Sequence, residues 1–281
     1  MAEIIDGKKI SQEIKDELKE KVAAMHAQGQ EVTLAVVLVG QDPASCVYVR
    51  NKKRACEYIG IRSLSYELAE DTSEEEVLAL IDKLNGDKDV NGILVQLPLP
   101  KHMDEDKITR AIDPLKDVDG FHPQNVGALS IGLPGFVSCT PAGIIQLLKR
   151  SHIDMEGKHC VIVGRSNIVG KPMALLMLRE NATVTVTHSK TKDLASVTRQ
   201  ADILIVAIGK KQFITADYVK EGVVVIDVGM HRDETNHLCG DVAYDEVASH
   251  CSAITPVPGG VGPMTIAMLM HNCLESVDLQ K

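Results

Sequence analysis

Apolar residues in this chain gather into short β-branched runs, and between the runs they recur at helical spacing. Residues 33–39 form the first dense run and predict a strand. Asp42-Pro43 then reads as an N-cap followed by proline at the first helical position, with the helix running to about residue 59 and Gly60 stopping it. Residues 61–68 predict a second strand, and 73–84 a helix whose first turn is acidic, as the helix dipole favours. Residues 92–97 predict a third strand, closed by Pro98 and Pro100. Strand–helix–strand–helix–strand is the order of a parallel sheet covered by helices.

The rhythm breaks over 113–139, where four glycines and three prolines accompany few periodic apolar positions. That composition predicts a long loop joining two domains. Thr140-Pro141 opens a helix to about residue 150. A second series follows: strand 159–163, helix 171–180, strand 182–187, helix 192–200, strand 202–207, a short helix near 216–220 and strand 223–228. A final apolar helix over 264–276 is expected to return to the first domain. The expected fold class is therefore α/β, with an N-terminal parallel α/β sheet domain over 1–139, completed by 264–281, and a second domain over 140–263.

Composition narrows the function classes. The chain has 281 residues, 44% hydrophobic and 25% charged, enough apolar content for packed cores. No apolar stretch reaches the roughly 18–20 residues that span a bilayer, and the first residues lack the apolar segment of a signal peptide. Of seven cysteines, the nearest pair is Cys46 and Cys56, which excludes CxxC spacing and predicts reduced, mostly buried thiols in a cytoplasmic protein. Ten histidines form no HxxxH pair, so no metal site is expected. A net charge of −9 argues against nucleic acid as a partner; an anion must be captured by local cations.

One turn supplies such a cation. After the strand ending at Val163 come Gly164-Arg165-Ser166-Asn167-Ile168-Val169-Gly170, and then a helix. A strand feeding a glycine turn that opens a helix presents backbone N–H groups to a diphosphate, as in a Rossmann-type unit. Ser166 replaces the second glycine of the usual GxGxxG, and the last glycine comes one residue late. The acid expected about 20 residues further on, which would hold ribose hydroxyls, is missing; His188-Ser189-Lys190 stands there. Arg165, Ser189 and Lys190 suit a 2′-phosphate, which favours NADP. The alternative is a plain strand–helix turn with surface charges.

Other candidates admit two readings each. Tyr48 and Lys52 share a helix face, either as an aromatic–amine pair for a planar substrate or as part of a solvated basic face with Arg50, Lys53 and Arg54. Gln96 ends an apolar strand, where α/β sheets bind ligands; it is either a site amide or a satisfied strand end. Against a neutral amide, Lys52 would lack a counter-ion, which favours its uncharged form once desolvated. Asp117-Val118-Asp119-Gly120 contains an ordinary turn signal. Thr255-Pro256-Val257-Pro258-Gly259-Gly260-Val261-Gly262 predicts an extended approach and a turn that exposes its backbone to a ligand.

Together these segments resemble the bifunctional methylenetetrahydrofolate dehydrogenase/cyclohydrolase family. The resemblance is carried by Tyr48-Val49-x-x-Lys52, by Leu84-Asn85 through Val95-Gln96-Leu97-Pro98-Leu99-Pro100, and by Asp117-Val118-Asp119-Gly120. It continues in Gly164-Arg165-Ser166-x-Ile168-Val169-Gly170-Lys171-Pro172, His188-Ser189-Lys190-Thr191 and Pro258-Gly259-Gly260-Val261-Gly262-Pro263-Met264-Thr265. Arg54 departs from the many members with a second lysine, keeping the charge. The resemblance implies a two-domain α/β homodimer with a Rossmann-type second domain, folate in a cleft between the domains, and NADP as cofactor. It implies oxidation of 5,10-methylenetetrahydrofolate to the methenyl form, then hydrolysis to 10-formyltetrahydrofolate. It assigns Tyr48 to stacking on the folate, Lys52 to catalysis, Gln96 to orienting Lys52 and Asp119 to the pterin. Val95, Leu97, Pro258, Gly259, Gly260, Val261 and Gly262 would line the folate site. Gly164, Arg165, Ser166, Ser189 and Met230 would bind the cofactor. Competing readings are another two-domain dehydrogenase with a catalytic lysine, such as a shikimate-type enzyme, and a non-catalytic NADP-binding regulator.

Overall fold

A computed structural model describes residues 2–280. The chain divides into two compact units, one of Gln12–Cys139 and Ile266–Lys281, the other of Met1–Ser11 and Thr140–Thr265.

The chain begins with β1 (Glu3–Ile4) and α1 (Gly7–Ala27). α1 buries Ile10, Ile14, Leu18 and Val22, a four-residue spacing that lines one helix face. It has no counterpart among the elements expected from sequence, although the stripe is present. β2 (Thr33–Val39) is buried at every position. α2 (Pro43–Ile59) starts and stops as expected: the Asp42 carboxylate accepts from the Ser45 amide at 2.8 Å, and Gly60 closes the helix at φ 96°. β3 (Arg62–Leu68), α3 (Glu74–Gly86) and β4 (Gly92–Val95) follow, α3 opening with a Ser73–Glu76 capping box. The three strands form a parallel sheet with β2 central. Its core is built from Val37, Ile81, Leu84 and Ile93, among others.

Residues 113–139 are not one long loop. After α4 (Glu105–Ala111), Asp117 makes an isolated parallel bridge to Ile93, and α5 (Pro123–Ile131) occupies the middle of the segment. Only Asn125 and Leu129 of α5 are buried, too few positions to leave a periodic signal.

The other unit contains α6 (Cys139–Arg150), whose first residue lies in the first unit, then β5 (His159–Val163), α7 (Gly170–Arg179), β6 (Thr183–Thr187), α8 (Leu194–Thr198), β7 (Ile203–Val206) and β8 (Val223–Asp227). A hairpin of β9 (His231–Arg232) and β10 (Leu238–Cys239), a short α9 (Tyr244–Val247) and β11 (Cys251–Ile254) complete it. α10 (Val261–Leu279) starts here and continues into the first unit from Ile266. The helix expected near 216–220 is a single 3-10 turn over Ala216–Tyr218. The six-stranded sheet has the order β1-β11-β8-β7-β5-β6, parallel throughout. β1 pairs Glu3 with Ala253 and Ile4 with Ile254, so the first residues join this sheet; a two-residue strand is too short for periodicity to reveal.

β6 lies on one side of β5 and β7 on the other, so the winding reverses at β5. The carboxyl ends of β5 and β7 therefore flank a topological switch point, where open α/β sheets bind ligands. All seven cysteines are free and five are buried. Among the described residues no helix is long and apolar enough to cross a membrane.

Candidate active site

In the first unit α2 turns Val49, Lys52, Cys56 and Ile59 inward, while Arg50, Lys53 and Arg54 are exposed. Lys52 is only 6% exposed, which separates it from the basic face. Its Nζ donates to Gln96 Oε1 at 3.0 Å, and Gln96 Nε2 donates to the Leu97 carbonyl at 2.6 Å. Gln96 stands just beyond β4, yet its backbone N–H still bonds the Val37 carbonyl at 2.9 Å, which ties the amide to the central strand. Tyr48 is half-buried one turn before Lys52, and burial raises its phenol above the usual range.

Asp119 reaches the same region through a chain of anchors. The Ile93 amide donates to the Lys116 carbonyl at 2.7 Å, laying this segment along β4. Lys116 is buried, and its Nζ donates to the carbonyls of Leu84, Asn85 and Asp87 at 3.0, 2.9 and 2.6 Å. An ammonium thus gathers three carbonyls at the end of α3, of which those of Leu84 and Asp87 also accept from the amides of Asp87 and Val90. Asn272 Nδ2, from α10, donates to the carbonyls of Val118 and Val137 at 2.8 and 3.0 Å. The Asp117–Gly120 turn is closed by a 3.0 Å backbone bond, so the turn signal describes its geometry correctly.

Burial pushes the Asp119 carboxyl up, opposed by the charge of Lys52 and the thiol of Cys139. Lys52 therefore has a carboxylate within coulombic reach. Gln96 is therefore not the only polar group near Lys52, because the segment carrying Asp119 follows β4 in space. Asp117 is 1% exposed and accepts from the His122 amide at 2.7 Å and from Asn125 Nδ2 at 2.9 Å. Burial outweighs these bonds and pushes it up to about 7. Cys139 donates to the Val118 carbonyl at 3.4 Å, and burial raises its thiol as well. Sequence reasoning missed Lys116, Cys139 and Asn272 here. A usable signal existed for Asn272, a lone amide in the apolar stretch 264–274 that must find buried partners. Of the other residues singled out in this unit, Val95 is buried in the sheet core and Leu97 packs partly against it.

In the second unit the register pairs Val163 with Thr187, so the turns after β5 and β6 leave the sheet side by side. Gly164 has φ 128°, and a Cβ there would lie 2.2 Å from the Ala207 carbonyl oxygen; the close approach demands glycine. Ser166 does what a glycine cannot: its Oγ accepts from the amides of Val169 and Gly170 at 3.2 and 3.4 Å. The expectation of free amides at the start of α7 is corrected there, because the chain's own hydroxyl occupies two of them.

Arg165 and Ser189 are exposed at the neighbouring strand ends. The nearest acids are engaged elsewhere: Glu180 pairs with Lys149 at 2.7 Å, and Asp193 caps α8 through the Ser196 amide. A cation and a hydroxyl without a carboxylate fit a dinucleotide bearing a 2′-phosphate.

In the 258–262 loop, the Gly259 carbonyl accepts from the Lys8 amide at 2.9 Å. A Cβ on Gly7 would lie 1.8 Å from the Gly260 oxygen, so the loop is pinned against the start of α1. Pro258 is exposed, while Val261 is buried at 4%. Met230 is 45% exposed, and its Cε would lie 3.3 Å from a Cβ on Gly262, so the structure brings these two candidates together.

Comparison with known proteins matches both halves of the chain. Residues 5–119 match the catalytic domain of tetrahydrofolate dehydrogenase/cyclohydrolase, and residues 138–281 its NAD(P)-binding domain. The chain is 72% identical over 277 residues to the bifunctional protein FolD of Agathobacter rectalis, covering 99% of each. The crystal structure of the bifunctional methylenetetrahydrofolate dehydrogenase/cyclohydrolase FolD from Campylobacter jejuni superposes with a TM-score of 0.98 at 54% identity, covering 100% of both chains. The Trypanosoma brucei dehydrogenase–cyclohydrolase, solved with NADP cofactor and inhibitor, superposes at 0.94 with 37% identity, covering 99% of this chain and 97% of that one.

Proposed function

The chain belongs to the tetrahydrofolate dehydrogenase/cyclohydrolase family, and from that premise we propose that Lys52, Gln96, Asp119 and Tyr48 form the catalytic group of its two reactions. The enzyme oxidises 5,10-methylenetetrahydrofolate to 5,10-methenyltetrahydrofolate with NADP and hydrolyses the product to 10-formyltetrahydrofolate. Bound NADP+ accepts the hydride.

The folate nitrogens push electrons toward the departing hydride, so positioning carries the first step and no side-chain acid is required. Tyr48 stacks on the folate, Asp119 bonds the pterin and Leu97 lines the folate site. Gly164, Arg165, Ser166, Ser189 and Met230 hold the cofactor, with Arg165 and Ser189 at the 2′-phosphate. Water attack on the methenyl carbon needs a proton acceptor and donor, and the Lys52 amine serves, aimed by Gln96. The observation that carries this assignment is the buried Lys52–Gln96 hydrogen bond of 3.0 Å.

Lys52→Met is expected to abolish hydrolysis of added methenyl substrate while folate still binds. Near-normal hydrolysis in the variant would remove Lys52 from the catalytic role. The same premise extends to a cytoplasmic homodimer, in keeping with seven free thiols for the compartment and testable by light scattering for the assembly.

A further inference from the structure

Two carboxylates lie buried at the carboxyl end of the six-stranded sheet, and neither reaction above uses them. Asp241, at 0% exposure, accepts hydrogen bonds from three successive backbone amides of the turn after β7: Ile208 at 2.8 Å, Gly209 at 3.0 Å and Lys210 at 2.8 Å. His231 Nε2 stands 2.8 Å from its Oδ1. Asp227, at the end of β8, accepts from the amides of Gly229, Asp241 and Val242 at 2.9, 2.9 and 3.0 Å, which fixes the backbone of Asp241. Successive amides converging on one point form a nest that binds an anion. Here the chain fills the nest with its own carboxylate.

The turn held in this way flanks the switch point. Ala207 already touches the Gly164 turn, and a Cβ built on Gly209 meets nothing within 4 Å, so the outer face of the turn is open. His231 directly follows Met230, so the same carboxylate also fixes that segment. We propose that Asp241 is a positioning residue of the cofactor site, holding residues 208–210 and, through His231, the Met230 segment in the conformation that receives the dinucleotide. The inference rests on the assignment of Gly164, Arg165, Ser189 and Met230 to NADP. An amide in place of the carboxylate offers one acceptor oxygen and turns N–H groups toward N–H groups, which releases the turn.

The test is Asp241→Asn, with the NADP+ Kd measured by calorimetry and the two activities assayed separately. The expected result is a Kd raised about tenfold or more, a matching rise in the dehydrogenase KM for NADP+, and hydrolysis of added methenyl substrate within about twofold of the parent. Hydrolysis uses no cofactor, so it reports the folded state. Loss of both activities in parallel, with an unchanged Kd for the folded fraction, would overturn the proposal and leave Asp241 a structural residue. Should Asp241→Asn not fold, His231→Gln decides: about a threefold rise in Kd supports the proposal, and an unchanged Kd overturns it. Arg165→Ala run alongside separates the two assignments. Unchanged NADP+ affinity in that variant refutes the site itself, whereas a loss there without one in Asp241→Asn refutes only the role of Asp241.

Discussion

Arg165 and Asp117 place a charge at opposite extremes of environment, and each leads to a different measurement. Arg165 is exposed beside Ser189 at the ends of β5 and β6, free to meet a ligand without first breaking a buried contact. Arg165→Ala should weaken NADP+ by about tenfold or more and NAD+ far less, because only NADP+ carries the 2′-phosphate. Equal losses in parallel titrations with the two cofactors would show that Arg165 acts in some other way.

Asp117 is buried, and its carboxyl titrates at about 7 instead of the ordinary 3.8. The native chain holds this proton more tightly than the unfolded chain. Its contribution to stability is therefore full below about pH 4 and is lost as pH rises through about 7. Asp117→Asn removes that loss, so the stability of the variant relative to the parent should rise by up to about 4 kcal/mol between pH 4 and pH 8. Urea unfolding at the two pH values measures it, and a difference that does not change with pH would disprove it.

At the scale of elements, local chemistry was readable wherever one residue type has one job. Asp42-Pro43 and Gly60 bracket α2 as expected, and Ser73 begins α3 with both halves of a capping box in place. Ser73→Ala should cost about 1 kcal/mol of stability in thermal unfolding, since the Glu76 amide loses its partner. Both activities should stay near the parent values at 25 °C, because Lys116 docks at the other end of α3 and does not depend on the cap. A drop in turnover without a drop in stability would mean that the cap serves the site directly.

α5 was unreadable because its few buried positions set no period. α1 was readable in principle from Ile10, Ile14, Leu18 and Val22, whose four-residue spacing marks one buried helix face. Ser166 is intermediate: the sequence marks it as a departure from glycine, but only the fold shows its hydroxyl occupying two helix amides.

At the scale of the whole molecule, the alternation of strand and helix periods in this sequence was enough to require parallel sheets with helical cover. The glycine turn with Arg165 and its missing acid was enough to indicate a phosphorylated dinucleotide, while folate followed from the resemblance of the motifs to a known family. Those conclusions depend on residue type and short spacing, which the chain carries locally. Strand order is different in kind. That β5 lies between β6 and β7, that β1 adds to the edge beyond β11, and that Asp117 bridges Ile93 are pairings between residues distant in the chain, which no local pattern encodes. The partners of the buried charges follow from those pairings. Lys116 finds three carbonyls, Asp119 comes within reach of Lys52, and Asp241 finds three amides from residues far away in the chain. The sequence by itself determined which chemistry this protein can perform. The tertiary structure alone decided which charges hold that chemistry in place, because a buried charge is stable only beside partners that folding brings to it.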